Sequence, residues 1–278
     1  MINRLHEQLI KAANELPPMP QAVVRLTEII ADPDYAIKDV VRVVELDPAL
    51  AGKLLRMANS VMYGSGRVGT ISEAIVRVGA GTVRTLALAA SVKPKKNLDL
   101  SAFGYTPDSY WKHCVAVLCF AEEMAAQRLA DFGDDFTTAA LLHDFGQLVL
   151  AKHMSPEQAE ALSSLDPTLP AVDRESIILG VNHAEVTAVV TQAWNLPETI
   201  VKAVQYHHSP EQHDTPLCHG LNLANQLAWQ LEERNFELAR EFENRLASRS
   251  ALNVSEDQMT HLLERGRHRM EVAMEVYS

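Results

Sequence analysis

Long apolar runs are missing from this chain, as are paired cysteines, glycine-rich loops and a surplus of basic charge. No apolar stretch approaches the about 18 residues that a membrane-spanning helix needs, so the sequence predicts no membrane insertion. Cys114, Cys119 and Cys218 are odd in number and lack Cys-x-x-Cys spacing. They exclude a full disulfide framework and are expected as reduced thiols in or near the core of a cytoplasmic protein. The N-terminus lacks the charged-then-apolar pattern of a secretory signal. Aromatic residues make up only 6% of the chain, and glycine and proline are sparse and local, which favours helices over a turn-rich β fold. The net charge of −11 argues against general binding to nucleic acid or anionic membrane, because such binding needs neutralising cations. The acidity lies beyond residue 100, and the short basic cluster Lys93-Pro94-Lys95-Lys96 reads as a solvated linker.

What is present is a full complement of core-forming residues. The chain has 278 residues, 47% of them hydrophobic and 22% charged, enough for one large or two modest domains. Nearly every segment reads as helix, so the expected fold class is all-α. Leu16-Pro17-Pro18-Met19-Pro20 breaks an amphipathic start, and Val23, Leu26 and Ile30 recur at helical spacing until Asp32-Pro33-Asp34. Asp47-Pro48 is an N-cap followed by proline at the first helical position. Ile71, Ile75 and Val78 fit a short helix ended at Gly79. A long helix is expected over about 107–130, then others over 135–150, 170–180, 183–194, 197–207 and 215–231. Glu237, Arg240, Glu241, Glu243 and Arg245 suggest an exposed charged helix, and Ser255 with Gln258 is a capping box opening a last helix. These boundaries give a helical subdomain over 1–95, a linker over 96–107, a second helical subdomain over 108–231 and a C-terminal extension over 232–278.

Chemistry concentrates around His143-Asp144, set between Leu141-Leu142 and Leu148-Val149-Leu150. Two adjacent polar metal-ligand types in apolar surroundings are costly without partners. His113 aligns with Val117, Phe120 and Met124 at helical spacing, and His183 aligns with Val186, Thr187, Val190 and Trp194. Asn225 aligns with Cys218, Leu221 and Ala228, and His207-His208 add two more imidazoles. Separate helices thus each carry a polar group on an apolar face, and a shared metal would satisfy them together. Each residue also has a plain structural reading: a hydrogen-bonded core histidine, histidines closing a helix, a locally paired Asp144, a buried amide at Asn225. No Gly-x-Ser-x-Gly elbow or phosphate loop is present.

Taken with their order, these motifs resemble the HDOD domain proteins, a bacterial branch of the HD superfamily. The first half carries Leu16-Pro17-Pro18-Met19-Pro20, Asp47-Pro48-Ala49-Leu50, Ala58-Asn59-Ser60 and Ile71 to Gly79. The second carries His143-Asp144-Phe145-Gly146-Gln147, Asn182-His183-Ala184-Glu185, Trp194-Asn195-Leu196-Pro197 and Tyr206-His207-His208. The resemblance covers roughly residues 16–230 and implies an N-terminal helical subdomain packed on an HD-like helical subdomain.

Catalytic HD phosphohydrolases hold metal through a His, a His-Asp pair and a later Asp. The resemblance maps the first three onto His113, His143 and Asp144 and replaces the later Asp with Asn225. In related cyclic-di-GMP phosphodiesterases a Lys follows His-Asp-x-Gly, where this chain has Gln147. Extra histidines there resemble His183, His207 and His208, whereas Ser209-Pro210-Glu211 departs from the Gly-Tyr-Pro segment of that group. A neutral Asn lowers divalent-cation affinity, and loss of Lys removes a phosphoryl-binding charge. The resemblance therefore implies a signalling or regulatory module with a degenerate metal site and a protein partner. The alternative is a metal-dependent phosphohydrolase acting on a phosphoester or nucleotide, with Asp144 orienting the attacking water; a metal-binding sensor without turnover is a third reading. An imidazole-rich set favours Fe, Zn, Ni or Mn over Mg. The charged C-terminal helices offer an oligomerisation surface, with a solvated face as the default.

Overall fold

The computed structural model describes residue 11, residues 19–232 and residues 239–277, apart from the side chains of residues 62 and 239–244. Among the described residues all regular structure is helical. The chain divides into two compact units, one made of Pro18–Lys93 and His268 onward, the other of Pro94–Arg267 with the residues before Pro18. The division falls at Lys93/Pro94, and the C-terminal extension is shared between the units.

The first unit contains α1 (Gln21–Ile30), α2 (Ile37–Glu45), α3 (Pro48–Ala58), α4 (Ile71–Val78) and α5 (Ala80–Val92). Residues 16–18 of the proline motif lie outside the described residues. The Asp47 carboxylate accepts from the amides of Ala49 and Leu50 at 3.0 Å, with Pro48 in the first turn of α3. Asn59 shows what its motif does. Its amide donates to the carbonyls of Leu55 and Val68, and its oxygen accepts from the Val68 amide at 2.8 Å. Arg77 donates to the carbonyls of Ala58 and Gly66, pinning the same loop from α4. Gly79, at φ 86°, links α4 to α5 in a conformation that favours glycine. The helix α2 was not anticipated, although Val40 and Val44 sit one turn apart and both are buried.

The second unit holds α6 (Pro107–Ala126), α7 (Phe136–Leu142), α8 (Phe145–His153), α9 (Pro156–Ser164), α10 (Ala171–Leu179), α11 (His183–Ala193), α12 (Glu198–Tyr206), α13 (Pro216–Leu231) and α14 (Ala239–Ala251). α15 (Glu256–Tyr277) completes the chain, opened by the expected Ser255/Gln258 capping box. Helix α6 packs on α7 and α13, α11 on α8 and α12, and α12 on α7 and α13. Helix α9 was also missed, although Ser155 and Gln158 cap each other reciprocally around Pro156. Its apolar content is too thin to show a period. Glu237 lies outside the described residues, as do the side chains of Arg240, Glu241 and Glu243. All three cysteines are buried and none is in a disulfide. No single described helix is long and apolar enough to cross a membrane.

Candidate metal centre

The expected helix over 135–150 is two helices, and the His-Asp pair is the break between them. His143 closes α7 and Asp144 stands at the N-cap of α8, yet the Asp144 side chain makes no capping bond. Its carboxylate turns instead toward imidazoles. The break is held by backbone contact with α11: the Gly146 amide donates to Thr187 Oγ1 at 2.8 Å, and Thr187 Oγ1 lies 2.8 Å from the His183 carbonyl and 3.2 Å from that of His143. A Cβ at Gly146 would lie 2.1 Å from the His183 carbonyl oxygen, so the glycine is what lets α8 meet α11.

The histidines come from the ends or middle of separate helices. His113 projects from mid-α6, and the residues aligned with it, Val117, Phe120 and Met124, are buried as expected. His183 opens α11, where Asn182 and Glu185 form a capping box. His207 closes α12 and His208 follows it. Around the Asp144 carboxylate, Oδ2 lies 3.4 Å from His143 Nε2 and 3.8 Å from His113 Nε2, while Oδ1 lies 3.1 Å from His183 Nε2 and 3.5 Å from His207 Nε2. His208 Nε2 is 3.0 Å from His183 Nε2. The result is two groups of donors sharing Asp144: His113 and His143 on one side, and His183, His207 and His208 on the other. None of the six is more than 5% exposed.

The outer ring nitrogens set the tautomers. His143 Nδ1 lies 2.8 Å from the Ala140 carbonyl and His207 Nδ1 2.7 Å from that of Val204. Carbonyls only accept, so both Nδ1 atoms carry a proton, which leaves Nε2 as the nitrogen that would coordinate a metal. His183 Nδ1 is 2.7 Å from Glu175, whose carboxylate also takes the His183 amide, and His113 Nδ1 is 3.0 Å from Glu232. Carboxylate–histidine pairs of this kind orient metal ligands. Glu175 and Glu232 were not anticipated, because Glu232 lies 119 residues from its partner and nothing at Glu175 marks it in sequence.

These residues fit a metal. The Nε2 atoms of His113, His143 and His207 are buried without a hydrogen-bond partner, an arrangement that costs free energy unless a cation satisfies it. Gln147 donates to Asp144 Oδ2 at 3.3 Å. On α13, the Asn222 amide holds the His207 carbonyl at 2.7 Å, and the Trp229 ring lies 6.2 Å from that of His113 and 6.0 Å from that of His208. Asn225 lies between them on the helix, its buried side-chain oxygen without a hydrogen-bond partner.

A second polar relay needs to be told apart from chemistry. Asp214 Oδ1 is 2.8 Å from His219 Nε2, and His219 Nδ1 is 3.1 Å from Ser248 Oγ on α14. The order suggests a nucleophile triad, but Ser248 is 0% exposed and donates to Asn222 Oδ1 at 2.9 Å. It is a structural tie from α14 through Asn222 to His207.

Burial opposes charge at Asp144, His183, His207 and His208. For Asp144 the neighbouring His143 and His183 outweigh burial and hold the carboxyl well below the usual carboxylate range. For His183 burial is again outweighed, here by Glu175 and Asp144, and its value rises to about 10. For His207 burial prevails and the value falls to about 4, and burial with His207 beside it pushes His208 well down. His183 contributes stability that is complete below 6.5 and lost as pH rises toward about 10. Folded His207 refuses a proton that the unfolded chain accepts between 6.5 and about 4, so its contribution is lost as pH falls through that window. Chelator-treated protein is therefore expected to be most stable near neutrality and to weaken in both directions, as urea denaturation across pH will measure. A flat profile from pH ~5 to ~9 would contradict this assignment of charges. Glu175→Gln is expected to weaken metal binding by about 10–100-fold while leaving helicity unchanged, read by metal titration and circular dichroism.

The fold and the site together define an all-helical protein built around a buried His/Asp cluster able to hold metal. Residues 16–210 match the HDOD domain, and the chain belongs to the HDOD family. It is 26% identical over 234 residues to an uncharacterized protein of Treponema pallidum, covering 80% of this chain but only 44% of that protein. A candidate phosphohydrolase of Shewanella amazonensis matches in structure with a TM-score of 0.71 at 25% identity, over 96% of this chain and 97% of the other. A candidate signal transduction protein of Marinobacter aquaeolei matches with a TM-score of 0.74 at 24% identity, over 99% of this chain and 65% of the other.

Proposed function

We propose that this is a cytoplasmic bacterial signalling module whose HD-type site holds metal to order the fold and no longer turns over a phosphoester. The observation that carries this reading is the closure of the site: none of the six ligands is more than 5% exposed. A phosphoester must bring its oxygens to the ion, and here Gln147 lies on Asp144 Oδ2 while the Trp229 ring flanks His113 and His208. Gln147 and Asn225 are neutral where the catalytic relatives carry charge. His113, His143 and Asp144 would hold one ion, and Asp144, His183, His207 and His208 a second. The donor set suits Fe, Zn, Ni or Mn. A metal held there would supply Lewis acidity, and because His143, His183 and His207 stand at the ends of α7, α11 and α12, its binding free energy would become folding free energy. Oriented imidazoles and a shared carboxylate also support the second reading, a metal-dependent phosphohydrolase acting on a phosphoester or nucleotide. In the first unit the exposed side chains of Leu46, Val61 and Val76 supply apolar surface for a protein partner.

Elemental analysis of freshly purified protein, followed by phosphodiester assays with added Mn, Fe or Ni, tests both readings. Bound metal without turnover is expected. Turnover that disappears in His143→Ala and Asp144→Ala would establish the hydrolase instead, and protein that takes up no metal would remove both metal readings.

A further inference from the structure

His208 belongs to two places at once. Its Nε2 is 3.0 Å from His183 Nε2 in the cluster, and its ring also lines a cleft of about 310 Å³. The other walls come from Asp173 in the first turn of α10, Glu185 in the first turn of α11, and Gln205, Tyr206 and Gln212. His208 is thus a residue of the cluster that also lines a cavity. The named walls bring two carboxylates, amides and hydroxyls, and no ammonium or guanidinium. Such a lining attracts a cation and repels a phosphorylated anion.

We infer that this cleft is the port through which a divalent cation reaches and leaves the buried His/Asp cluster, with His208 as the first ligand it meets. The inference rests on the cluster holding metal, as proposed above. A fully enclosed site needs an entry path, and the imidazole of His208 joins this cleft to His183 in the cluster. Asp173 and Glu185 also complement the dipoles of their own helices, but sharing a cleft with His208 gives their charge a second use. The amides of Gln205 and Gln212 can replace waters lost from a hydrated ion.

The test is kinetic. Zn²⁺ uptake by metal-stripped protein and Zn²⁺ loss to excess chelator are followed by stopped flow in the full chain. Asp173→Asn with Glu185→Gln, the second retaining a residue able to form the capping box, is expected to slow uptake by about tenfold and to flatten its dependence on salt. Gln212→Trp, which fills the mouth, is expected to slow uptake and loss by the same factor, about tenfold or more, so that affinity is unchanged. Binding with native rates in both variants overturns the port alone. A slowed loss with unaltered uptake marks a change in affinity and also overturns it. Failure of the native chain to take up Zn²⁺ overturns the metal site and the port with it.

Discussion

Gly146→Ala is expected to destabilise the unit that carries the histidines by about 3 kcal/mol or more, lowering its melting temperature by roughly 6–12 °C. The sign is what makes the experiment decisive. Gly146 lies in α8, and alanine is the better helix former by about 1 kcal/mol, so a freely exposed glycine here would gain stability on substitution. The structure places an alanine Cβ 2.1, 2.8 and 2.9 Å from the oxygen, carbonyl carbon and Cα of His183. Those are backbone atoms at the start of α11 and cannot swing away as a flexible side chain would. Either α8 or α11 must move, which breaks the bond from the Gly146 amide to Thr187 and separates Asp144 from His183. Thermal unfolding with chelator present isolates this effect from metal binding. A melting temperature equal to or above that of the native chain would rule out the close approach of the two helices.

Asp144→Asn is expected to have the largest effect on the site itself. The two donor groups have only this carboxylate in common, and the substitution keeps the shape of the side chain while removing its charge. Metal affinity should fall by at least about 100-fold, leaving purified protein essentially free of metal. A second effect appears without metal. The carboxylate is one of the two anions, with Glu175, that raise His183 to about 10. Losing one partner of a buried ion pair costs about 3–5 kcal/mol, so chelator-treated Asp144→Asn should unfold at a clearly lower urea concentration than chelator-treated native protein. Native metal content in the variant would place the ion elsewhere; unchanged urea stability would mean that Asp144 does not pair with His183.

Much of the site was legible because a helical period converts spacing into direction. His113 shows as a polar position on an apolar face, since Val117, Phe120 and Met124 follow it at turn intervals, and all of these are buried. The Asp47-Pro48 and Ser255/Gln258 caps could be read for a related reason, because the chemistry of a helix start lies within four residues. The break at His143-Asp144 could not be read. Apolar residues flank the pair on both sides and continue the pattern of one helix, and the interruption depends on Gly146 and Thr187 meeting across 41 residues. Glu175 and Glu232 escaped notice because a carboxylate that orients a histidine carries no local signature of its own.

By itself, the sequence determined that the chain is helical and which residues are polar among apolar neighbours, and its resemblance to catalytic HD proteins implied that Gln147 and Asn225 replace charged groups. All of these are local or one-dimensional properties. Only the tertiary structure decided that four imidazoles surround the two oxygens of one carboxylate with a fifth beside His183, which ring nitrogen of His143 and His207 faces a carbonyl, and that the cluster is buried while His208 lines a cleft. The physical reason is that convergence depends on how α6, α7, α8, α11 and α12 pack. That packing is set by contacts between residues far apart in the chain, including that of Gly146, where even a methyl group would run into the backbone of α11.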